Sequence, residues 1–161
     1  MNKKFFLILF SASLFLAGCK TVPGEKEKID INGMVYDTQN RPVVNYRIYI
    51  DGNGVSTSDI GGRFYVSRIQ KGEHVFSGRG EGYLNVEEKI VVYDKAQILY
   101  IRVPSIESMF ESAFVNIKNG EYEKAEEIIN EVLETDKNNE DANYFIKTIE
   151  ILRRRNETEA D

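Results

Sequence analysis

The stretch Val44-Asn45-Tyr46-Arg47-Ile48-Tyr49-Ile50-Asp51-Gly52-Asn53-Gly54 decides the class of this chain. Val44, Tyr46, Ile48 and Ile50 alternate with Asn45, Arg47 and Tyr49, the period-two signature of a half-buried strand. Asp51-Gly52-Asn53-Gly54 then ends the alternation with residues that tolerate positive φ, so the chain turns back on itself. Upstream, Ile29, Ile31, Gly33 and Val35 alternate with Asp30, Asn32 and Met34. Asp37-Thr38-Gln39-Asn40-Arg41-Pro42 follows and reads as a turn. Downstream, Val55–Thr57 and Arg63–Val66 flank a turn at Asp59-Ile60-Gly61-Gly62. Strands around His74–Ser77, Glu88–Tyr93 and Gln97–Val103 complete the series. Seven short strands rich in β-branched and aromatic residues, with turns at regular intervals, predict an antiparallel β-sandwich over residues 29–104.

After Pro104 the apolar period becomes helical. Met109, Phe110, Ala113, Phe114 and Ile117 share one face of a helix that stops at Asn119-Gly120. Tyr122, Ala125, Ile128, Ile129, Val132 and Leu133 form a second stripe, and Ala142, Phe145, Ile146, Ile149 and Leu152 a third. Arg153–Arg155 fall at the carboxyl end of the third helix, where cations suit the dipole. Residues 105–156 are thus expected to form a three-helix unit, and 157–161 a disordered tail. The fold class is α+β in two modules.

The first residues read differently. Lys3 and Lys4 precede an apolar run from Phe5 to Leu16, and small residues close it at Leu16-Ala17-Gly18-Cys19. Charged start, apolar middle and small-residue end make a secretory leader. The ending resembles the lipobox of bacterial lipoproteins. That resemblance implies cleavage after residue 18, diacylglycerol on the Cys19 thiol, and a lipidated tether over residues 19–28. It places the protein in the bacterial envelope with the membrane as a partner through lipid. Lys20, in place of an aspartate, implies the outer membrane rather than the inner one.

The chain of 161 residues has 21 Lys and Arg against 26 Asp and Glu, a net charge of −5. Loss of Lys3 and Lys4 with the leader makes it more acidic still. Such a surface disfavours nucleic acid and anionic membrane surfaces. With Cys19 lipidated, the sole cysteine leaves no thiol for a disulfide or a zinc site.

Two further resemblances bear on fold. Ile31-Asn32-Gly33-Met34-Val35-Tyr36-Asp37, Arg41–Ile48, Thr57-Ser58-Asp59-Ile60-Gly61-Gly62-Arg63-Phe64, Lys71–Phe76 and Glu81-Gly82-Tyr83 resemble the carboxypeptidase regulatory-like domain. The resemblance implies a prealbumin-like sandwich with Phe64 in its core. Residues 106–139 resemble one tetratricopeptide repeat through Ala113, Asn119–Ala125 and Leu133–Asn139. Met109, Asn116 and Lys137 depart from that pattern. Residues 140–155 look like the first helix of a second repeat, giving a repeat-like unit that leans on the sandwich.

Candidate chemistry is sparse. His74 is the only histidine and reads as a strand residue, since zinc needs several converging ligands. Asp51-Gly52-Asn53-Gly54 begins like a calcium loop but continues with Val55 and Ser56, and Gly62 stands where a bidentate glutamate is needed. Gly78-Arg79-Gly80-Glu81-Gly82 lacks the strand–loop–helix setting and the lysine of a phosphate loop. Ser56, Ser58 and Asp59 have no base to activate them. No catalytic residue, metal or cofactor is expected beyond the lipid on Cys19.

The expected function is a non-catalytic binding or scaffolding module with an envelope protein as partner. Tyr36, Tyr49, Tyr65, Tyr93 and Tyr100 fall on strand faces opposite the core. They are read either as ordinary cross-strand packing or cover by the helices, or as a contact surface for a protein or glycan partner. Phe110, Phe114 and Ile117 are read as seating the helices on the sandwich or gripping a partner. Of these, Tyr49, Tyr65, Tyr100, Phe110, Phe114 and Ile117 are the contact candidates. In an alternative reading the tyrosines stack on a glycan.

Overall fold

The computed structural model describes residues 27–160. Seven strands come first: β1 (Lys28–Asp37), β2 (Arg47–Ile50), β3 (Asn53–Thr57), β4 (Arg63–Gln70), β5 (Gly72–Arg79), β6 (Val86–Val92) and β7 (Ile98–Val103). Three helices follow, α1 (Ile106–Lys118), α2 (Tyr122–Thr135) and α3 (Glu140–Ala160). The fold is α+β. A three-stranded sheet, β4-β1-β7, faces a four-stranded one, β3-β2-β5-β6.

Alternation fills the space between the sheets. Ile31 and Val35 point inward from β1, Phe64 and Val66 from β4, and Leu99, Ile101 and Val103 from β7. Ile48, Ile50, Phe76, Ile90 and Val92 meet them from the other sheet. Phe64 and Phe76 touch across the gap, with ring centroids 6.3 Å apart. Phe64 thus occupies the core position expected of it. The turn before it depends on Gly62, whose φ is 73° and where a Cβ would lie 2.4 Å from the Val35 carbonyl oxygen. Only glycine meets both demands.

One expectation about the sandwich fails. It is not wholly antiparallel, because β1 pairs with β7 in parallel from Asn32↔Ile98 to Asp37↔Val103. Strand periodicity fixes which face a residue takes but carries no information about strand direction. A second difference concerns where the second strand starts. Asn45 adopts φ of 58°, which breaks the alternation and leaves Val44 43% exposed. Val43 and Tyr46 are the buried pair instead.

Tyr46 is fully buried. Its backbone N–H donates to Ser58 Oγ at 2.9 Å, and Ser58 Oγ donates to the Val43 carbonyl at 2.6 Å. Its ring fills the space over Gly78, where a Cβ would sit 2.2 Å from Tyr46 Cε1. Its hydroxyl donates to the Leu84 carbonyl at 2.8 Å. Burial pushes the phenol far above its usual range.

Leu84 opens the second core. Its side chain packs with Ala113, Ala125, Ile129, Val132, Ala142 and Ile149 of the helices. The junction is otherwise made by backbone. Leu84 N–H donates to the Pro104 carbonyl at 3.0 Å, and Ile106 N–H to the Gly82 carbonyl at 2.9 Å. Ser105 caps α1, its Oγ accepting the Ser108 N–H at 3.1 Å. The Asn139 side chain likewise accepts the Ala142 N–H at the start of α3. The first helix stops at Asn119-Gly120 as its sequence indicates. The third runs through Ala160, past residue 157 where a disordered tail was expected to begin.

Asp37 closes β1 with no accessible surface. Burial works to raise its carboxyl pKa, but the Arg41 backbone N–H, the Arg41 guanidinium and the Gln39 N–H outweigh it, so the group is held below 3.8. The Arg41 Nε lies 2.6 Å from Asp37 Oδ2.

Tyr46→Phe removes a donor and leaves the Leu84 carbonyl buried without one. It should destabilise the chain by about 1–3 kcal/mol in urea unfolding. Asp37 contributes stability above the unfolded carboxylate pKa, and that contribution is lost as pH falls through the depressed native pKa. Asp37→Asn should therefore lower the urea midpoint at pH 7. The gap to the wild type should close in strong acid.

Candidate functional site

The strand register sorts the five outward tyrosines. On the outer face of the three-stranded sheet, Tyr65 of β4 pairs with Asn32 of β1, and Arg63 with Met34. Across β1, Met34 pairs with Tyr100 and Tyr36 with Arg102 of β7. Tyr36, Tyr65 and Tyr100 are thereby brought onto one surface with Met34, Ile98, Arg63 and Arg102. Tyr100 is 70% exposed and Tyr65 51%. Tyr49 lies on the other sheet, paired with Ser77, and Tyr93 follows the end of β6. The five do not form one patch.

A groove of about 390 Å³ runs beside Tyr36 and Tyr100, with Met34, Asn40 and Arg102 in its walls. Arg102 Nη2 donates to Asn40 Oδ1 at 2.9 Å. Tyr65 bonds the Asp30 carboxylate, which raises the phenol's pKa. Asp30 is held below its ordinary value by the Arg68 backbone N–H first, and by Tyr65 second. Ordered polar groups therefore frame the aromatic surface on two sides.

The helices do not cover this face. Their core takes in Leu84 from the sandwich side and none of the outward sheet residues. Cover of the tyrosines by the helices is corrected accordingly, while cross-strand neighbours flank them as the register shows. The aromatic residues of α1 are also placed otherwise than as a seat on the sandwich. Phe110 stacks on Phe145 of α3 at 5.2 Å and 7°, and Ile117 packs into the helical core. Phe114 is 51% exposed, with the Lys118 ammonium 4.7 Å from its ring centroid. Leu84 and Ile106 supply the seat instead. Cys19 lies outside the described residues.

His74, Asp51, Ser58 and Asp59 each have structural hydrogen-bond partners. His74 Nδ1 lies 2.7 Å from Asp51 Oδ2 and Nε2 lies 2.8 Å from the Gln70 carbonyl. Asp51 is held below its usual range by His74 first and by the Val75 N–H second. Ser58 is occupied by Tyr46 and Val43. Asp59 Oδ1 accepts the N–H groups of Gly61 and Arg63. Among the described residues, every aspartate whose pKa is moved is moved toward the charged form. That is the behaviour of capping and pairing groups.

Sequence reading reached Tyr65 and Tyr100 but missed Met34, Ile98, Arg63 and Arg102. Alternation puts all of them outward. Only the pairing of β4, β1 and β7 puts them side by side.

No protein-family model matches the chain, and no curated protein does. Among solved structures it is similar to a chain of a type II cohesin–X–dockerin complex from Acetivibrio cellulolyticus. That match has 16% identity over 48% of this chain and 58% of that one, with a TM-score of 0.40. It is also similar to a Streptococcal ancillary pilin, at 13% identity over 50% of this chain and 30% of that one, TM-score 0.41. A DUF3823 family protein from Bacteroides ovatus matches at 16% identity over 48% and 45%, TM-score 0.39. The chain thus spans well under two thirds of the length of each of these proteins.

Proposed function

We propose that this chain is a lipid-anchored, non-catalytic binding module of the bacterial envelope, and that the outer face of β4-β1-β7 is its protein-contact surface. The observation that carries this reading is the composition of that face: Tyr36, Tyr65 and Tyr100 grouped with Met34, Ile98, Arg63 and Arg102. Aromatic residues, methionine and arginine are enriched at protein–protein contacts, and lysine and glutamate are depleted there. Tyrosine and arginine also dominate binding energy where they are desolvated at the centre of such a contact. The three rows from Asn32 to Tyr36 carry no lysine or glutamate.

The anchor belongs to the same proposal. Lys3, Lys4, the apolar run and Leu16-Ala17-Gly18-Cys19 support lipidation at Cys19, with the outer membrane as destination. On this reading the sandwich is of the carboxypeptidase regulatory-like, prealbumin-like kind. The helices are one tetratricopeptide-like repeat with the first helix of another, as Ala113 and Ala125 in the helical core support. A second reading, a glycan-contacting lipoprotein, is favoured by one observation. Tyr36 and Tyr100 flank a groove whose polar wall is Asn40 and Arg102.

Two measurements test the proposal. Labelled palmitate should enter the wild type and not Cys19→Ser, which should leave the membrane fraction. A photo-crosslinking residue at position 100, in the native envelope, should yield one discrete protein adduct. The same residue at position 89, on the opposite sheet, should not. Tyr65→Ser with Arg102→Glu should abolish that adduct. Retention of it after both changes sinks the surface assignment. Glycan capture lost on Tyr100→Ala, without a protein adduct, would favour the second reading instead.

A further inference from the structure

On the outer face of the four-stranded sheet, two arginines stand opposite one another. Arg47 of β2 and Arg79 of β5 are direct cross-strand partners, and both are exposed. Among the described residues neither has a carboxylate within ion-pair distance. Like charges directly opposite destabilise an antiparallel pair. An acidic chain with 26 Asp and Glu had ample means to neutralise these two, yet none of the described carboxylates is placed on them.

Arg79 is held in position. Its guanidinium carbon lies 4.6 Å from the Tyr49 ring centroid, and its Nε donates to the Tyr49 hydroxyl at 2.8 Å. Both arginines line a cavity of about 820 Å³ that reaches from the sandwich to α1 and to the end of α2. Its size is that of a ligand site. Asn45 and Asn85 also line it, and each side-chain amide both donates and accepts. Val44 and Ile106 add apolar wall, while Glu81 and Asp136 also line the cavity. Against these two carboxylates stand two guanidiniums paired directly across β2 and β5, which make that cross-strand pair the place for an anion.

We propose that Arg47 and Arg79 form the carboxylate-recognising end of a binding site for an acidic peptide segment. The Arg47 guanidinium offers a fork that matches carboxylate geometry, and Arg79, whose Nε and Nη2 also donate to the Tyr49 hydroxyl, offers its terminal edge. Two amides match the donor–acceptor pattern of a peptide backbone. An acidic sugar is disfavoured because stacking needs a free ring face. Tyr49, the ring beside the arginine pair, has Arg79 over its face. This site is separate from the tyrosine face of the other sheet, and its failure would leave that assignment untouched.

The test uses the mature chain and fluorescein-labelled hexaglutamate, read by fluorescence anisotropy, with hexaglutamine as control. Hexaglutamate should bind, more weakly as salt rises, and hexaglutamine should not. Arg47→Thr should weaken binding by about tenfold while leaving the melting temperature unchanged or higher, since it relieves the like-charge pair. Arg63→Thr, on the opposite sheet, should leave binding intact. Should Arg47→Thr melt early, Arg47→Lys decides the matter, because it keeps the charge and loses the fork. Weakened binding at wild-type stability then supports the site, and full binding overturns it. The proposal is also overturned by absence of hexaglutamate binding, by equal binding of hexaglutamine, or by tighter binding of hexagalacturonate.

Discussion

The structure turns on the burial of one tyrosine. Tyr46 ties together three things that the chain would otherwise leave separate. Its backbone locks to Ser58, which fixes the loop before β2 against the loop after β3. Its ring takes the volume that glycine leaves open at position 78. Its hydroxyl holds the carbonyl of Leu84, whose side chain belongs to the helical core. A phenol can do this because its body is apolar and its tip is a donor. Ring and hydroxyl therefore act on different cores at once. Phenylalanine would fill the sandwich as well and still leave the join between the modules one hydrogen bond short.

Much of this was legible in the sequence, because solvent selects one face of each strand. Ile29, Ile31 and Val35 are buried where their alternation puts them, as are Leu99, Ile101 and Val103. The helix stop at Asn119-Gly120 and the apolar stripes of α1 and α2 were readable for the same reason. Other features were not. Asn45 is one residue inside an apparently regular alternation, and only its backbone angle shows that the period restarts after it. The parallel pairing of β1 and β7 joins residues about sixty-five apart, and no local pattern encodes direction. Both candidate surfaces depend on such pairings. Tyr65 and Tyr100 meet through Asn32 and Met34. Arg47 and Arg79 meet across β2 and β5. A residue's exposure can be read from its own strand, whereas its neighbour on a surface comes from another.

The two sheets present different chemistry to solvent. On β4-β1-β7 the aromatic rings are open and the arginines stand beside them, an arrangement that suits desolvation by a large partner. On the other sheet the one central ring, Tyr49, is already used to hold Arg79. What remains exposed there mixes the charges of Arg47, Arg79 and Lys89 with the single valines Val55, Val75 and Val91. Burying apolar area would drive contact with the first surface, and matching charge would drive contact with the second. Salt would weaken the second much more than the first.

The parallel β1–β7 pair also decides where the helices go. Because the two strands run the same way, Val103 ends beside Asp37, at the opposite end of β1 from Lys28. Ser105 and α1 therefore leave from the end of the sandwich farthest from the start of β1, and Glu107 approaches Arg41 there. With Cys19 lipidated as proposed, about eight residues separate the lipid from β1, a reach under roughly 30 Å even when fully extended. The entry end of β1 would then be held near the bilayer and the helical unit directed away from it. Tyr100 and Arg102 pair with the second half of β1, so the aromatic surface would stand clear of the lipid headgroups. An antiparallel β7 would have returned the chain to the Lys28 end of β1 and placed the helices there instead. A single strand direction thus sets which end of the sandwich carries the helical unit.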